Sequence, residues 1–269
     1  MKAIISHDID LITAWEHKID LAIPKLIARS SLELAIGSIS CSEYFSRFKE
    51  LAENQLHNLD ELIKFDQQNK VPSTFFIGVT KGGGLSYSLS DAKYWTNQIL
   101  NRGFDVGVHG VKYNNLYGIQ YEYETFKKFS GLTTFGIRMH YLRNSINTLS
   151  LLSEAGYLFD STLARNAGPF KTNTLWEFPL HIMDTYLFEH NSRWQNQTLE
   201  QAKTKTEAKI EEINNSGIKY LTILFHDRYF SDSFKSFKDW YIWTVDYLKG
   251  NKVEFTTYAR AVKQLERNI

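Results

Sequence analysis

The sequence predicts an α/β fold, a deformed (β/α)7-type barrel with a helical insertion after the first strand. Three observations point to it. Short apolar or β-branched runs alternate with amphipathic stretches, the pattern of parallel βα units. Roughly seven or eight such units fit in one chain, as a closed or nearly closed barrel requires. The residues able to do chemistry also sit at the carboxyl ends of the expected strands, which converge on one mouth in such a barrel. With 269 residues, no repeats and no Pro-rich linker, residues 1–269 read as a single domain.

The first strand, Lys2 to Ile5, runs into Ser6-His7-Asp8-Ile9-Asp10. Asp8 and Asp10 alternate, so they share a face, and His7 faces the other way. Two buried carboxylates on one face repel unless one holds a metal and the other a proton. The plain alternative is a pair of solvated loop acids. A long helical stretch follows over 11–69, with Leu51, Leu59, Leu62, Ile63 and Phe65 at helical spacing and Pro72 at its exit. It reads as an elaboration on the barrel, about 11–70. Ser73 to Val79 is a buried strand by its aromatic and β-branched content. Residues 80–90 form a Gly-rich loop. Its Lys81-Gly82-Gly83-Gly84 lacks Walker spacing, so it reads as a mobile loop rather than a phosphate cradle.

Ser90 reads as the cap of a helix that Gly103 ends. Then come a strand Phe104–His109, a helix around 121–129, a strand Thr133–Arg138 and a helix Ser145–Ala155 closed by Gly156. Tyr157–Thr162 and Trp176–His181 are strands, and Leu199–Asn215 is an amphipathic helix stopped by Gly217. Strand Tyr220–His226, helix Phe237–Leu248 and strand Val253–Thr257 complete the series.

Composition narrows the function classes. A net charge of +1 gives no basis for nucleic acid or an anionic membrane as partner. The single cysteine, Cys41, excludes an internal disulfide and fits a reducing compartment. The N-terminus shows no signal-peptide pattern, and no run of about 18 apolar residues suggests a membrane span. The expected location is therefore cytoplasmic. Aromatic residues make up 14% of the chain; most suit a core, and some suit the walls of a sugar cleft.

Taken in order, the motifs resemble those of the polysaccharide deacetylases, the NodB-homology group of carbohydrate esterase family four. The resemblance runs from Lys2 to about Tyr258 and leaves out the 11–70 insertion. Ser6 to Asp10 matches the first motif, and Ser73 to Ile77 the family's second strand. Asp105 to His109 matches the approach and first His of the second motif, but Tyr113 stands where the second His belongs. Arg138-Met139-His140-Tyr141 corresponds to the third motif without its prolines. Asp160 within Phe159 to Leu163 is the best match to the loose fourth, with Asp184 second and Trp176 as a pocket wall. Leu221 to Asp227 fits the fifth. The phrase Arg138 to Arg143, with Gly156 to Leu163, resembles a divergent branch linked to bacterial surface-polysaccharide synthesis.

The resemblance implies that Asp8 is the general base, Asp10 a metal ligand, His226 the general acid and Arg138 the residue orienting the base. It also implies that the backbone N–H of Tyr141 helps bind the oxyanion, and that a divalent metal, with zinc expected, is the cofactor. Asp10 and His109 supply two ligands of a three-ligand set. His140 shares the inward face of Arg138 and is the preferred third, the alternatives being a substrate or oxyanion contact or a structural role. Tyr113 and Asn114 are poorer ligands. Arg138 could instead form a structural ion pair with Asp160. A carboxylate beside His226, from Asp160 or Asp184, would keep its imidazolium available as a proton donor. Arg143 suits an anionic substrate group or a solvated helix start. His17, His57, His181 and His190 read as structural or exposed.

The expected function is removal of an N-acetyl group from an amino sugar of a surface-glycan precursor, on a carbohydrate substrate. The alternative is a non-catalytic barrel relative that binds glycan or acts as a scaffold. A further alternative is the same site acting on another amide or ester. The sequence sets neither the sugar nor the acyl group nor the oligomeric state.

Overall fold

The computed structural model describes residues 1–17, 20–189 and 192–267. The first strand, β1 (Lys2–Ile9), is longer than its apolar run, and it ends beside Asp10. A single turn at Trp15–His17 leads into α1 (Ala22–Ala35), α2 (Cys41–Ala52) and α3 (Leu59–Asn69). These three helices are the insertion. Helix α2 starts where Ser40 and Glu43 form a reciprocal cap.

The βα series then runs β2 (Thr74–Ile77), α4 (Leu89–Asn101), β3 (Asp105–Gly110), α5 (Leu116–Ser130), β4 (Ile137–Met139), α6 (Thr148–Ala155) and β5 (Phe159–Asp160). Ser88, rather than Ser90, caps α4, because its hydroxyl accepts the Asp91 amide. A hairpin of β6 (Phe170–Thr172) and β7 (Leu175–Glu177) follows, then β8 (Ile182–Met183) and α7 (Asp184–Glu189). The chain ends with α8 (Leu199–Asn215), β9 (Tyr220–Leu224), α9 (Lys235–Gly250), β10 (Glu254–Thr256) and α10 (Tyr258–Glu266). Among the described residues no helix is long and apolar enough to cross a membrane.

The sheet order is β6-β7-β5-β4-β3-β2-β1-β9-β8. Every pairing along it is parallel except the β6–β7 hairpin. The stretch 175–183 makes the sheet a barrel by changing partners. Trp176 and Glu177 pair with Phe159 and Asp160, whereas Ile182 and Met183 pair with Ile223 and Leu224. This one interrupted strand joins β5 to β9 and closes the ring. The expected single strand Trp176–His181 is thus two short strands on either side of Pro179. The last strand also departs from expectation. β10 pairs only with the start of β1, below the point where β2 joins it, so it lies outside the ring.

Alternation decides what enters the barrel. From β1, Ala3, Ile5 and Ile9 face outward into the main core, with Phe75, Ile77, Val106, Val108, Ile137 and Met139 from the next strands. Ile4 faces inward with Phe76, Phe159, Trp176, Phe178 and Tyr258 and forms the barrel floor. Ser6, Asp8 and Asp10 stack above that floor on the same face. His7 points outward, as expected: its Nδ1 donates to the Phe225 carbonyl (2.8 Å) and its Nε2 lies 3.0 Å from Asp66.

Glycine makes room for the large inward groups. A methyl group at Gly136 would lie 2.3 Å from the Phe159 ring. Gly136→Ala should therefore lower stability by about 1–3 kcal/mol, the cost of overpacking a filled interior. Urea unfolding measures this, and an unchanged midpoint would contradict the packing described.

Candidate metal and acid–base site

Asp10, His109 and His140 meet at the barrel mouth. Asp10 follows β1, His109 lies on β3 and His140 follows β4. His109 pairs in register with Arg138, so His140 stands one inward step higher on the neighbouring strand. Asp10 Oδ1 lies 3.1 Å from His109 Nε2 and 3.2 Å from His140 Nδ1. The two ring nitrogens are 3.0 Å apart. Between β1 and β3, strand β2 ends at Ile77, in register with Ile9 and Val108. The next residue is Gly78, which puts no side chain between Asp10 and His109.

Each ring's other nitrogen is committed to a backbone carbonyl. His109 Nδ1–H donates to Arg138 (3.1 Å), and His140 Nε2–H donates to Gly83 (3.0 Å). The neutral rings then both turn lone pairs toward the Asp10 carboxylate. Three acceptors at such distances repel one another unless a cation or a proton lies among them. This donor set fits a divalent metal of intermediate softness, with carbonyl hydrogen bonds fixing both tautomers. Asp10 has a side chain 28% exposed, so the position is open to solvent.

The Gly-rich loop therefore presents a carbonyl to a histidine, which is the opposite polarity from a phosphate cradle. Gly83 has φ +62°, and a methyl group there would lie 3.2 Å from the His140 ring. Buried Glu122 anchors this loop and the one after β3, accepting from the Thr80 hydroxyl and from the amides of Val111 and Lys112. Of the residues considered for the missing second histidine, Tyr113 packs at the edge of the core and Asn114 is exposed.

Below the triad lies Asp8. Its Oδ1 accepts from Arg138 Nη1 (3.0 Å), and its Oδ2 is 3.8 Å from His109 Nε2. Arg138 is fully buried. Its Nε donates to the Ser161 carbonyl, Nη1 also to Ser6, and Nη2 to Ser161 Oγ and Tyr258. All five guanidinium N–H groups are used. Arg138 thus pairs with Asp8 and makes no hydrogen bond to Asp160.

His226 closes the other side, with Nε2 3.7 Å from Asp10 Oδ2. Its Nδ1–H donates to Asp184 Oδ1 (2.8 Å), and its amide donates to Asp184 Oδ2 (2.6 Å). Burial works against the charged ring, but the Asp184 carboxylate, with Asp10 and Asp8 beyond it, pushes His226 up to about 10. Burial likewise works against a charged His140 ring, but the Asp10 carboxylate outweighs it and raises His140 above its ordinary value. Burial also opposes ionisation of Asp10, yet the three histidines hold its carboxyl well below the ordinary range.

The partner of His226 is Asp184 and not Asp160. Asp160 pairs in register with outward-facing Ile137, so it points away from the barrel interior. There it accepts from Thr162 (2.6 Å) and shares a buried hydrogen bond with Glu177, and burial raises both carboxyls. Trp176 lies in the barrel floor beside Ile4 and Phe159, so it does not wall the mouth. Tyr141 follows His140 with φ 57°, its ring 4.0 Å from the His140 ring and largely exposed. Arg143 is exposed, its guanidinium 5.4 Å from the Tyr141 ring.

Of the other histidines, His17 bonds Asp20, His57 packs on Trp95 and His181 bonds the Ala167 carbonyl. His190 lies outside the described residues. Sequence reading missed Gly83, Ser6, Ser161 and Tyr258. Ser6 lay within the first motif, Gly83 within the Gly-rich loop and Ser161 within the Asp160-Ser161-Thr162 phrase, but none was given a role; Tyr258 offered no signal. Sequence reading also left Asp227 open. That acid is buried, its Oδ2 3.4 Å from the Asn58 amide, and burial followed by the Asp10 charge pushes it up to about 8.

Two outcomes follow for the metal-free protein. His226 has a folded pKa above the unfolded value of about 6.5, so its stabilising contribution is complete below that pH. It is lost as pH rises toward about 10. Asp184→Asn should flatten this alkaline limb in unfolding experiments and lower the His226 pKa read by NMR; an unmoved resonance would contradict the pairing. Because His140 must release a proton to bind metal, metal affinity should fall with falling pH, with proton release on binding seen by calorimetry in two buffers.

Comparison with family profiles finds no match, and comparison with curated proteins finds none. Solved structures do match. A Mycobacterium smegmatis protein assigned as a polysaccharide deacetylase superposes with TM-score 0.67 at 14% identity, covering 99% of this chain and 91% of that one. A second protein so assigned, from Pseudomonas aeruginosa, gives 0.63 at 12% identity, over 99% and 90%. An allantoinase gives 0.62 at 12% identity, over 97% and 88%. The barrel described here is the fold that these polysaccharide deacetylase structures share.

Proposed function

We propose that this protein is a metal-dependent amidohydrolase that removes the N-acetyl group from an amino sugar of a surface glycan or its precursor. The observation that carries this reading is the convergence of Asp10, His109 and His140, flanked by Arg138-paired Asp8 on one side and Asp184-paired His226 on the other. A binding module needs the fold but not a carboxylate and an imidazole, each held by a buried partner of opposite charge type, on either side of a ligand set. The matches to polysaccharide deacetylase structures support the substrate class.

Asp10, His109 and His140 would hold the metal, zinc being the expected ion. A divalent ion there supplies a water acidic enough to react near neutral pH and polarises the acyl carbonyl. Asp8 removes the proton of the attacking water, with Arg138 fixing its orientation. The Tyr141 amide, next to the proposed ligand His140, would donate to the oxygen that gains charge. His226, kept protonated by Asp184, delivers a proton to the departing nitrogen. Arg143 and the exposed Tyr141 ring form part of the surface that meets the rest of the sugar.

The match to an allantoinase favours a second reading, hydrolysis of another linear amide at the same site. Acetate release from N-acetylated amino-sugar oligosaccharides, measured against simple amides, separates the two. Release from simple amides alone would overturn the sugar assignment.

Asp8→Asn and His226→Ala should each slow turnover by about a hundredfold or more while substrate still binds. Activity should fall at high pH as His226 loses its proton. Stoichiometric metal should disappear in Asp10→Ala and His109→Ala and weaken in His140→Ala, read by elemental analysis of protein purified without chelator. Normal metal content in His140→Ala would move that residue from ligand to substrate contact.

A further inference from the structure

A second cleft opens on the rim of the barrel, joined to the triad by the Gly-rich loop. It is lined by Thr80 after β2, by Lys112, Asn114 and Asn115 after β3, and by Tyr117 and Tyr121 of α5. Its volume is about 620 Å³, within the usual range of a small-molecule site. Both loops follow the carboxyl ends of their strands, so the cleft and the triad share one end of the barrel.

One buried carboxylate fixes the walls of this cleft. Glu122, the residue after Tyr121, accepts from the Thr80 hydroxyl and from the Val111 and Lys112 amides, so it ties both loops to α5. A methyl group at Gly118 would lie 2.8 Å from Lys112 Cγ. Glycine there lets the lysine stem lie along the helix. The connection to the triad is short. Thr80 lines the cleft and the Gly83 carbonyl holds His140, and three residues of chain span at most about 11 Å.

The lining points to its occupant. Tyr117 and Tyr121 stand one turn apart on the same side of α5 and are 81% and 51% exposed. The Lys112 ammonium and the Asn114 side chain make no hydrogen bond among the described residues, and Asn115 uses its Oδ1 to cap α5. Phenol rings suit the C–H face of a sugar, and free amide and ammonium donors suit its hydroxyls. No Leu, Ile, Val, Met or Phe lines the cleft, so a lipid or an apolar peptide would find little to bury. A nucleic acid would meet one lysine there, on a chain of net charge +1.

We propose that this cleft binds an unreacted ring of the same glycan chain whose N-acetyl group enters the mouth, with Tyr117 and Tyr121 as its stacking platform. The inference deepens the sugar reading above and rests on it for the identity of the ligand. It concerns binding and not hydrolysis, so the two can fail separately.

The probe is tetra-N-acetylchitotetraose, a linear chain of N-acetylated amino sugars. Calorimetry on zinc-loaded Asp8→Asn protein, which should leave the probe intact, reads its affinity. Adding Tyr117→Ala and Tyr121→Ala together should weaken binding about tenfold, the scale of two lost aromatic contacts. Phe45→Ala, which removes an exposed ring of α2, should leave affinity unchanged. With Asp8 restored, the tyrosine double variant should raise KM for the tetramer and keep kcat. Equal affinity with and without the two tyrosines would overturn the inference, even where wild type releases acetate. So would failure of the tetramer to bind, or binding of an oligothymidylate in its place. Tyrosine-dependent binding without acetate release from wild type would uphold the cleft and turn against hydrolysis.

Discussion

The buried guanidinium of Arg138 is the interaction on which the rest depends. A full charge with no solvent exposure is tolerable only if every donor is matched, and here all five are. The partners come from β1, from the loop after β5 and from the first residue of α10. One side chain therefore ties the first strand to the far side of the barrel and to the last helix. It lies at 4.6 Å over the Phe76 ring, which belongs to the apolar floor. Removing one partner would leave a buried charge uncompensated, typically a cost of about 3–5 kcal/mol. The same ion pair orients Asp8, so folding and the position of the proposed base share a single constraint.

Above Arg138 the site is assembled by register. Asp10, His109 and His140 come from three strands, and their side chains meet because the strand between two of them continues into glycine. Tyr113 stands where the resembling family has its second histidine, yet His140 from the next strand joins Asp10 and His109 in a cluster that could hold a metal. Reaching the site from β4 has a consequence. His140 needs its Nε2–H held, and the loop after β2 supplies the Gly83 carbonyl. The Gly-rich sequence of that loop makes sense as a close backbone approach to an imidazole.

Much of this was legible in the sequence because it depends on local alternation. Asp8 and Asp10 on one face, His7 on the other, and His140 on the side of Arg138 all follow from period two. The site residues at strand ends follow from the βα series. What was not legible depended on register between distant strands. Asp160 and Asp184 were both candidates for the partner of His226, with Asp160 the better match to the fourth motif. Only the pairing of Asp160 with Ile137 turns one outward, and only the pairing of β8 with β9 brings the other beside His226. Trp176 reads as a wall residue until its level in the barrel is known. The split of 175–183 between two neighbours, and the displacement of β10 outside the ring, are likewise closure effects that no local pattern encodes. Tyr258 at the start of α10 lies far in sequence from the arginine it serves.

The central claim is that one carboxylate and two imidazoles from three different strands bind a single metal. X-ray absorption spectroscopy of the zinc-loaded protein tests it most directly. The account predicts a first shell of nitrogen and oxygen at about 2.0–2.2 Å, with the multiple-scattering signature of two imidazoles. That signature should fall to one imidazole in His140→Ala. A spectrum of wild-type protein that requires only one imidazole, or that is unchanged in the variant, would contradict it.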